Sequence, residues 1–315
     1  MWKIPVTRVS MIPMNNNIPI DIVYTWVEGN NEEYQALYRS YAGGREDLNP
    51  ERYRDCYSLM KYSMRSVEQF VPWVRRIHVL TCRPQIPEWL DLSNPRIRVI
   101  HHDQVFDSKE YLPTFNTNVI ESYLHLIPEL SDPFIYMNDD FLFGRETYTG
   151  DFMDEQGRIK IFGTLLGERL KFRVYQGRFN FISYGFVEHT PILILKHAWA
   201  SMLNQRPGLT HRTRQHRFRA GNDLQMDKLY RYHMLSSMRD LSCAIPFYEL
   251  TKIHRFHKIT NCLKAQVKGL DRLRHMRPKF YCLNDDQRDL PDEAVVELVK
   301  EFLEGYYPQP SSFEK

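Results

Sequence analysis

Short β-branched and aromatic runs alternate with stretches of helical spacing through residues 20–144, and few architectures accept that order. IDIVYTWV (20–27) reads as a strand, and EGNNEE after it as a turn entering a helix. Met60, Met64, Val67 and Val71 recur at helical spacing and predict an amphipathic helix over 57–71. IHVLT (77–81) and IRVIHH (97–102) are apolar runs of the buried-strand kind. Val119, Ile120, Tyr123, Leu124 and Ile127 predict a second helix over 117–127, with Asn116 or Thr117 as its N-cap. FIYMNDDFLFG (134–144) then supplies the next strand. Such alternation indicates an α/β sheet with crossover helices.

The pattern changes from about 150 to 188. IKIFGTLL and FRVYQGRFNFISYGF predict strands or hairpins, aromatic-rich and suited to the mouth of a cleft. Helices are expected near 192–204 and 222–237. PDEAVVELVKEFLEGYY predicts a closing helix with Pro291 at its start and Asp292 and Glu293 in the first turn, where the helix dipole favours acids. Residues 1–17 read as a loose leader without the apolar core of a signal peptide, and 18–315 as one domain with an insertion at about 150–188.

Lys and Arg total 42 against 39 acids, so a net charge of +3 argues against a nucleic-acid partner on bulk charge. The five cysteines, Cys56, Cys82, Cys243, Cys262 and Cys282, are scattered, and no pair has C-x-x-C spacing. Neither a zinc site nor a disulfide framework is expected, and a reducing cytoplasm is the simpler setting. No apolar run is long enough to span a bilayer, which leaves attachment to a membrane surface through basic or aromatic patches open.

Asn138, Asp139 and Asp140 interrupt the apolar 134–144 run. Burying charge is costly unless it is paired or bound to a metal. A carboxylate pair at a strand end suits a divalent cation, because Mg²⁺ takes one or two carboxylates plus substrate phosphates. A β-turn in which these side chains bond the local backbone is the alternative. THRTRQHRFRAGND (210–223) carries Arg212, Arg214, Arg217 and Arg219, whose guanidinium forks suit phosphate oxygens, although such runs are commonly solvated loops. A second amide–acid pair, Asn284 and Asp285 followed by Asp286, again follows an aromatic, strand-like run. His189 precedes Thr190 and Pro191, and Glu121 lies among apolar helix positions; alone, each reads as an ordinary structural residue.

Four blocks carry a resemblance. They are IDIVYTWVEGN (20–30), the stretch from RYRD (52–55) through YSMRSVEQFVPWVRRIHVLT to LPTFNTNVIESYLHLIPELSDPFIYMNDDFLFG (ending at 144), EHTP with FRAGNDLQ (188–225), and PKFYCLNDD (278–286). In this order they resemble the Stealth family of sugar-phosphate transferases, which includes bacterial capsular-polysaccharide phosphotransferases and the catalytic subunit of the animal N-acetylglucosamine-1-phosphotransferase. The chain departs from the family pattern at Glu28, at Cys82–Arg83–Pro84 and at Ile192.

The resemblance implies a nucleotide-sugar-transferase-like α/β fold, with a mixed, mainly parallel sheet flanked by helices and a helical C-terminal part. It implies transfer of a hexose-1-phosphate or amino-hexose-1-phosphate from a UDP-sugar to an acceptor hydroxyl, releasing UMP, in capsular or other cell-surface polysaccharide biosynthesis. Phosphoryl chemistry of this kind is mostly positioning and charge neutralisation. Under that reading His189, Asp140 and Arg219 are catalytic. Asp21, Trp26, Arg52, Arg65 and Asn138 bind substrate. Glu121, Asp140, Asn284 and Asp285 hold Mg²⁺ or Mn²⁺. The implied partners are the UDP-sugar, a glycan acceptor and a polysaccharide export or assembly machinery met at the inner face of the membrane, with no nucleic acid. A metal-dependent glycosyltransferase releasing UDP and a polyanion-binding protein are the competing readings.

Overall fold

A computed structural model describes residues 18–43, 54–164, 172–175, 178–181, 189–288 and 290–315. The leader 1–17, and Arg52 with it, lie outside the described residues. The strands β1 (Asp21–Thr25), β2 (Ile77–Thr81), β3 (Ile97–His101) and β4 (Phe134–Asn138) run parallel in the order β3-β2-β1-β4. Between β1 and β2 lie the helices α1 (Glu32–Ala42) and α2 (Leu59–Phe70), and α3 (Thr117–Glu121) precedes β4. All five residues of β2 are buried, as expected for a parallel strand covered on both faces, and this is why the run reads as mostly apolar.

The chain visits β1, β2 and β3 in one direction and then returns to the other side of β1 for β4. That reversal is a topological switch point, where ligands of open α/β sheets bind beyond the carboxyl ends of the strands. Thr25 and Asn138, the last residues of β1 and β4, are register partners there.

The 134–144 stretch is two strands, not one. After β4 the chain turns at Asp139 and Asp140 and enters β5 (Phe141–Phe143), which leaves the main sheet. Downstream come β6 (Ile159–Thr164) and the hairpin of β7 (Phe172–Tyr175) with β8 (Arg178–Phe181), matching the strands expected in the insertion. Then β9 (Ile192–Ile194) closes the main sheet antiparallel to β4, so its edge is mixed.

The helices α4 (Lys196–Asn204), α5 (Pro207–Arg214) and α6 (Met226–Ser237) follow, then β10 (Ser242–Pro246), which pairs with β6, and the short α7 (Phe247–Leu250). The last unit is β11 (His254–Ile259), α8 (Leu263–Met276), β12 (Phe280–Asp285) and α9 (Glu293–Tyr306). Its strands build a second sheet in the order β11-β12-β5.

Three local expectations are corrected. The 117–127 helix stops at Glu121 and gives way to a tight turn over Leu124–Leu126, although Asn116 is its cap. The helix expected from 192 starts at Lys196, because 192–194 complete the sheet. The basic run is half helical, in α5. At the C-terminal helix Asp292 is the N-cap itself, accepting from the Val295 N–H at 3.0 Å. No helix of the described residues is long and apolar enough to cross a membrane.

Candidate active site

The turn from β4 to β5 makes the site. Because β5 pairs antiparallel with β12, Phe141 lies opposite Cys282, and the Leu283 N–H donates to the Asp140 carbonyl at 3.0 Å. The register sets Cys282 and Asn284 beside the Asp140 side chain: the Cys282 thiol donates to Asp140 Oδ2 at 3.0 Å and Asn284 Nδ2 reaches the same oxygen at 3.5 Å. Alternate residues of a strand share a face, so the two reach the carboxylate together.

His189 joins them from the loop before β9. One donor atom from each of Asp140, His189 and Cys282 lies within 4.8 Å of the others. The His189 backbone has φ +60°, a left-handed conformation uncommon outside glycine that is often met at functional sites. His254, at the start of β11, bonds the His189 carbonyl at 3.0 Å, and the His189 ring lies 5.0 Å from that of Phe256 and 6.2 Å from that of Phe141.

Three polar atoms here are buried without a protein partner: Asn138 Oδ1, Asp140 Oδ1 and His189 Nδ1. Buried polar groups are nearly always satisfied, so such a cluster points to a missing ligand. The acids here are held toward their neutral forms, chiefly by burial. Burial, then Asp140 and Asp55, push the Asp139 carboxyl well above the usual carboxylate range. Burial also raises Asp140, against the favourable contacts of His189, Cys282 and Asn284. Burial raises Asp55 as well, although its Oδ1 caps the entry to α2 by accepting from the Tyr57 and Leu59 N–H groups at 2.9 and 3.2 Å. The unpartnered oxygens of Asp140 and Asn138 fit a hard divalent cation; the Cys282 thiol does not suit Mg²⁺.

Asp285 stands beside this group but is engaged by Arg54, whose Nε and Nη2 donate to its Oδ2 at 3.2 and 2.8 Å. The carboxylate expected as a metal ligand thus makes an ion pair with the Arg54 guanidinium.

Glu121 and Arg219 form a second group. Glu121, at the end of α3, is buried and accepts from the Tyr136 hydroxyl at 3.0 Å; that hydroxyl also lies 3.0 Å from Thr25 Oγ1. Burial first, then Asp227, push the Glu121 carboxyl up to about 8, against the Tyr136 bond and the Arg219 charge. Arg219 is exposed and donates to Thr117 Oγ1 at 2.7 Å. Glu121, expected as a ligand of the same ion, is not in the close group of Asp140, His189 and Cys282; its hydrogen-bond partner is a tyrosine on β4.

The other arginines of the basic run are tied into the fold. Arg214 bonds Ser122 and Asp107 and lies over the Tyr123 ring, and Arg217 bonds the Pro113 and Glu110 carbonyls. Arg212 donates to the Asn222 carbonyl.

Two expected substrate residues belong elsewhere. Asp21 opens β1, at the amino end of the sheet away from the switch-point edge, and is fully buried. It accepts from Arg75 Nε and Nη2 at 2.8 and 2.6 Å and from the Ser131 N–H at 2.9 Å, with His78 Nε2 at 3.1 Å. Burial alone would raise its carboxyl; these partners hold it below the usual carboxylate range. Arg65, on α2, makes a paired contact of 2.7 Å with each oxygen of Glu314 and donates to the Tyr307 carbonyl, clasping the C-terminal segment. Trp26 follows β1 at the correct edge and is buried. Glu28, a departure from the family pattern, is braced by reciprocal 2.9 Å bonds between its backbone and the Gln85 amide.

Cys282, Arg54, Asp55 and Tyr136 were not singled out from the sequence. The signal for Cys282 was its place two residues before Asn284 in a strand.

Residues 52–161 match the model of the Stealth protein conserved region 2, and residues 271–315 that of conserved region 4. An exopolysaccharide phosphotransferase of Streptomyces coelicolor is 31% identical over 325 residues, covering 96% of this chain and 54% of the relative. The exopolysaccharide phosphotransferase CpsY of Mycobacterium tuberculosis is 30% identical, covering 94% of this chain and 58% of the relative. The capsular polysaccharide phosphotransferase SacB of Neisseria meningitidis serogroup A is 30% identical, covering 98% and 60%. The chain thus spans little more than half the length of these curated relatives. Among solved structures, the galactosyltransferase LgtC with donor and acceptor sugar analogues is 14% identical with a TM-score of 0.42, covering 91% of this chain and 96% of that one. The glycosyltransferase GlyE of Streptococcus pneumoniae is 14% identical with a TM-score of 0.46, covering 93% and 63%.

Proposed function

The chain belongs to the Stealth family, and from that premise and the acid-rich strand edge we propose that it is a sugar-phosphate transferase. It moves a hexose-1-phosphate or amino-hexose-1-phosphate from a UDP-sugar to a hydroxyl of a glycan acceptor. The observation that carries the reading is the group of unpartnered Asn138, Asp140 and His189 atoms beside the switch point of a parallel sheet. The naming of the relatives as polysaccharide phosphotransferases supports a saccharide on both sides of the reaction, in capsular or other cell-surface polysaccharide synthesis. Work at the inner face of the membrane, beside a polysaccharide assembly machinery, is part of the same proposal.

In this reading the acceptor oxygen attacks the phosphorus that carries the sugar. A new P–O bond forms, the P–O bond to UMP breaks, and the anomeric carbon–oxygen bond is untouched. His189 takes the acceptor proton through its unpartnered Nδ1, a step that contributes about 10²–10⁴-fold. Arg219, the exposed cation of its run, meets a donor phosphate oxygen, and Arg54 supplies positive charge at the other side. Trp26 borders the nucleotide side. Asp140, Asn138 and Asn284 would hold Mg²⁺ or Mn²⁺, which when bound offsets the diphosphate charge and allows the neighbouring acids to ionise.

The test is incubation of the full chain with a panel of UDP-sugars, a glycan acceptor and Mg²⁺, followed by identification of the nucleotide. UMP is expected. UDP would make it a glycosyltransferase that breaks the sugar–oxygen bond. No nucleotide release with any pairing, together with tight metal-independent polyanion binding, would make it a binding protein.

A further inference from the structure

We propose that Asp140, His189 and Cys282 form a centre for a thiophilic divalent cation of the Zn²⁺ class. It is distinct in preference from the oxygen-ligated Mg²⁺ of the proposed reaction.

The geometry carries this. The three donors offer one oxygen, one nitrogen and one sulfur within 4.8 Å of one another. Ligands of a single Zn²⁺ sit about 2.0–2.3 Å from the ion, hence roughly 3–4 Å apart, so the group closes on an ion with about 1 Å of side-chain movement. The donors are also pre-positioned. Asp140 immediately precedes β5, Cys282 lies on its partner β12, and the His189 carbonyl is bonded by the first residue of β11, the next strand of the same sheet.

Asp140 and His189 each keep one buried atom without a partner, Oδ1 and Nδ1, so coordination through these atoms displaces no protein hydrogen bond. Only the thiol changes partner: its proton, now donated to Asp140 Oδ2, passes to solvent as the sulfur becomes a thiolate ligand.

Ligand chemistry then sets the preference. Thiolate with imidazole suits Zn²⁺, Co²⁺ and Cd²⁺, whereas Mg²⁺ demands oxygen and keeps its waters. Three protein ligands leave a fourth tetrahedral position open to water or substrate. Among the described residues no other group of His, Cys, Asp and Glu offers three donors this close. A Zn²⁺ ion held here takes the His189 imidazole out of proton transfer, so under the proposed function it inhibits.

The test needs no donor sugar, so its failure is separable from failure of the transferase reading. The full chain is stripped with a chelator and titrated with Cd²⁺ and with Co²⁺. Expected are one tight equivalent, a thiolate-to-cadmium charge-transfer band, the strong visible absorption of tetrahedral Co²⁺, and resistance of both to millimolar Mg²⁺. Cys282→Ser should abolish the band and weaken binding at least about 100-fold, whereas Cys56→Ser keeps both. A band retained in Cys282→Ser, absence of a band in the parent chain, or ready displacement by Mg²⁺ overturns the proposal. Should Cys282→Ser fail to fold by circular dichroism, His189→Gln keeps the thiol; unchanged Cd²⁺ affinity in that variant overturns the proposal equally.

Discussion

Glu121→Gln distinguishes a neutral structural carboxyl from a metal ligand. In the fold the carboxyl is buried, accepts from the Tyr136 hydroxyl at 3.0 Å, and keeps its proton up to about pH 8. In the unfolded chain a glutamate releases its proton at about 4.3. A carboxyl raised on folding contributes stability that is fully present below the unfolded value and is lost as pH rises through the folded one. Each pH unit in that window costs the folded state about 1.4 kcal/mol. Between about pH 5 and 7.5 this one group therefore costs roughly 3 kcal/mol. The amide introduced by Glu121→Gln cannot ionise and can still accept from Tyr136. Urea denaturation of both proteins at the two pH values, without metal, cancels every group they share. The parent should lose about 3 kcal/mol more than the variant across the window. Parallel pH dependences would refute the reasoning. So would a folded variant that no longer responds to Mg²⁺, which would return Glu121 to the metal.

Other substitutions test the remaining assignments. EDTA should abolish transfer and Mg²⁺ or Mn²⁺ restore it, and Asp140→Asn should stay folded with little activity; full turnover would remove Asp140 from the site. Arg219→Lys should lower kcat/KM by about 10²-fold, because an ammonium cannot form the fork, while Arg212→Lys stays near the parent; equal losses would indicate a diffuse basic surface. His189→Ala and His189→Gln should both lose about 10²–10⁴-fold in turnover with donor binding nearly unchanged, and a substantially active Gln variant would leave only a hydrogen-bonding role. Asp21→Asn should cost about 3–5 kcal/mol of stability, since it breaks a buried charge network, and leave the donor KM of the folded protein unchanged; a raised KM with parent-like melting would put Asp21 back in the pocket.

Much of the fold is legible because parallel strands covered on both faces are mostly apolar, as IHVLT is with Ile77, Val79 and Leu80. Periodicity reports a buried face, however, and not a continuous backbone. Val119, Tyr123, Leu124 and Ile127 are all buried as the spacing requires, yet the helix ends at Glu121. Acids are legible as residues but not as partners. Asp21 and Asp140 look alike in the sequence. One meets Arg75 and His78, brought by β2 and the turn before it, and the other meets a thiol and an amide. The arginines of 210–223 divide the same way, since only their neighbours from 107–123 show which of them are structural. Cys282 escaped because metal cysteines are usually sought as pairs along the chain, whereas a strand presents its ligands two residues apart and takes the rest from its neighbours.

The step from β4 to β5 also explains why α2 carries fully buried serines. A strand that changes sheets leaves backbone groups of its first residues without ladder partners, and a buried unpaired group costs about 1–3 kcal/mol. Ser63 Oγ donates to the Phe141 carbonyl at 2.5 Å and Ser66 Oγ accepts from the Phe143 N–H at 3.0 Å. Since the Ser63 proton is used in that bond, the Tyr24 hydroxyl, 2.7 Å away, is the donor to Ser63 Oγ. A relay thus runs from β1 through α2 to β5, just after the Asp139–Asp140 turn. It fixes where β5 starts, and through the Phe141–Cys282 register it fixes which residues of β12 face Asp140. A slip of one residue would turn Cys282 and Asn284 away and present Tyr281 and Leu283 instead. The position of the candidate site therefore depends on two serines outside it, and its geometry is a property of the helix–strand packing behind it.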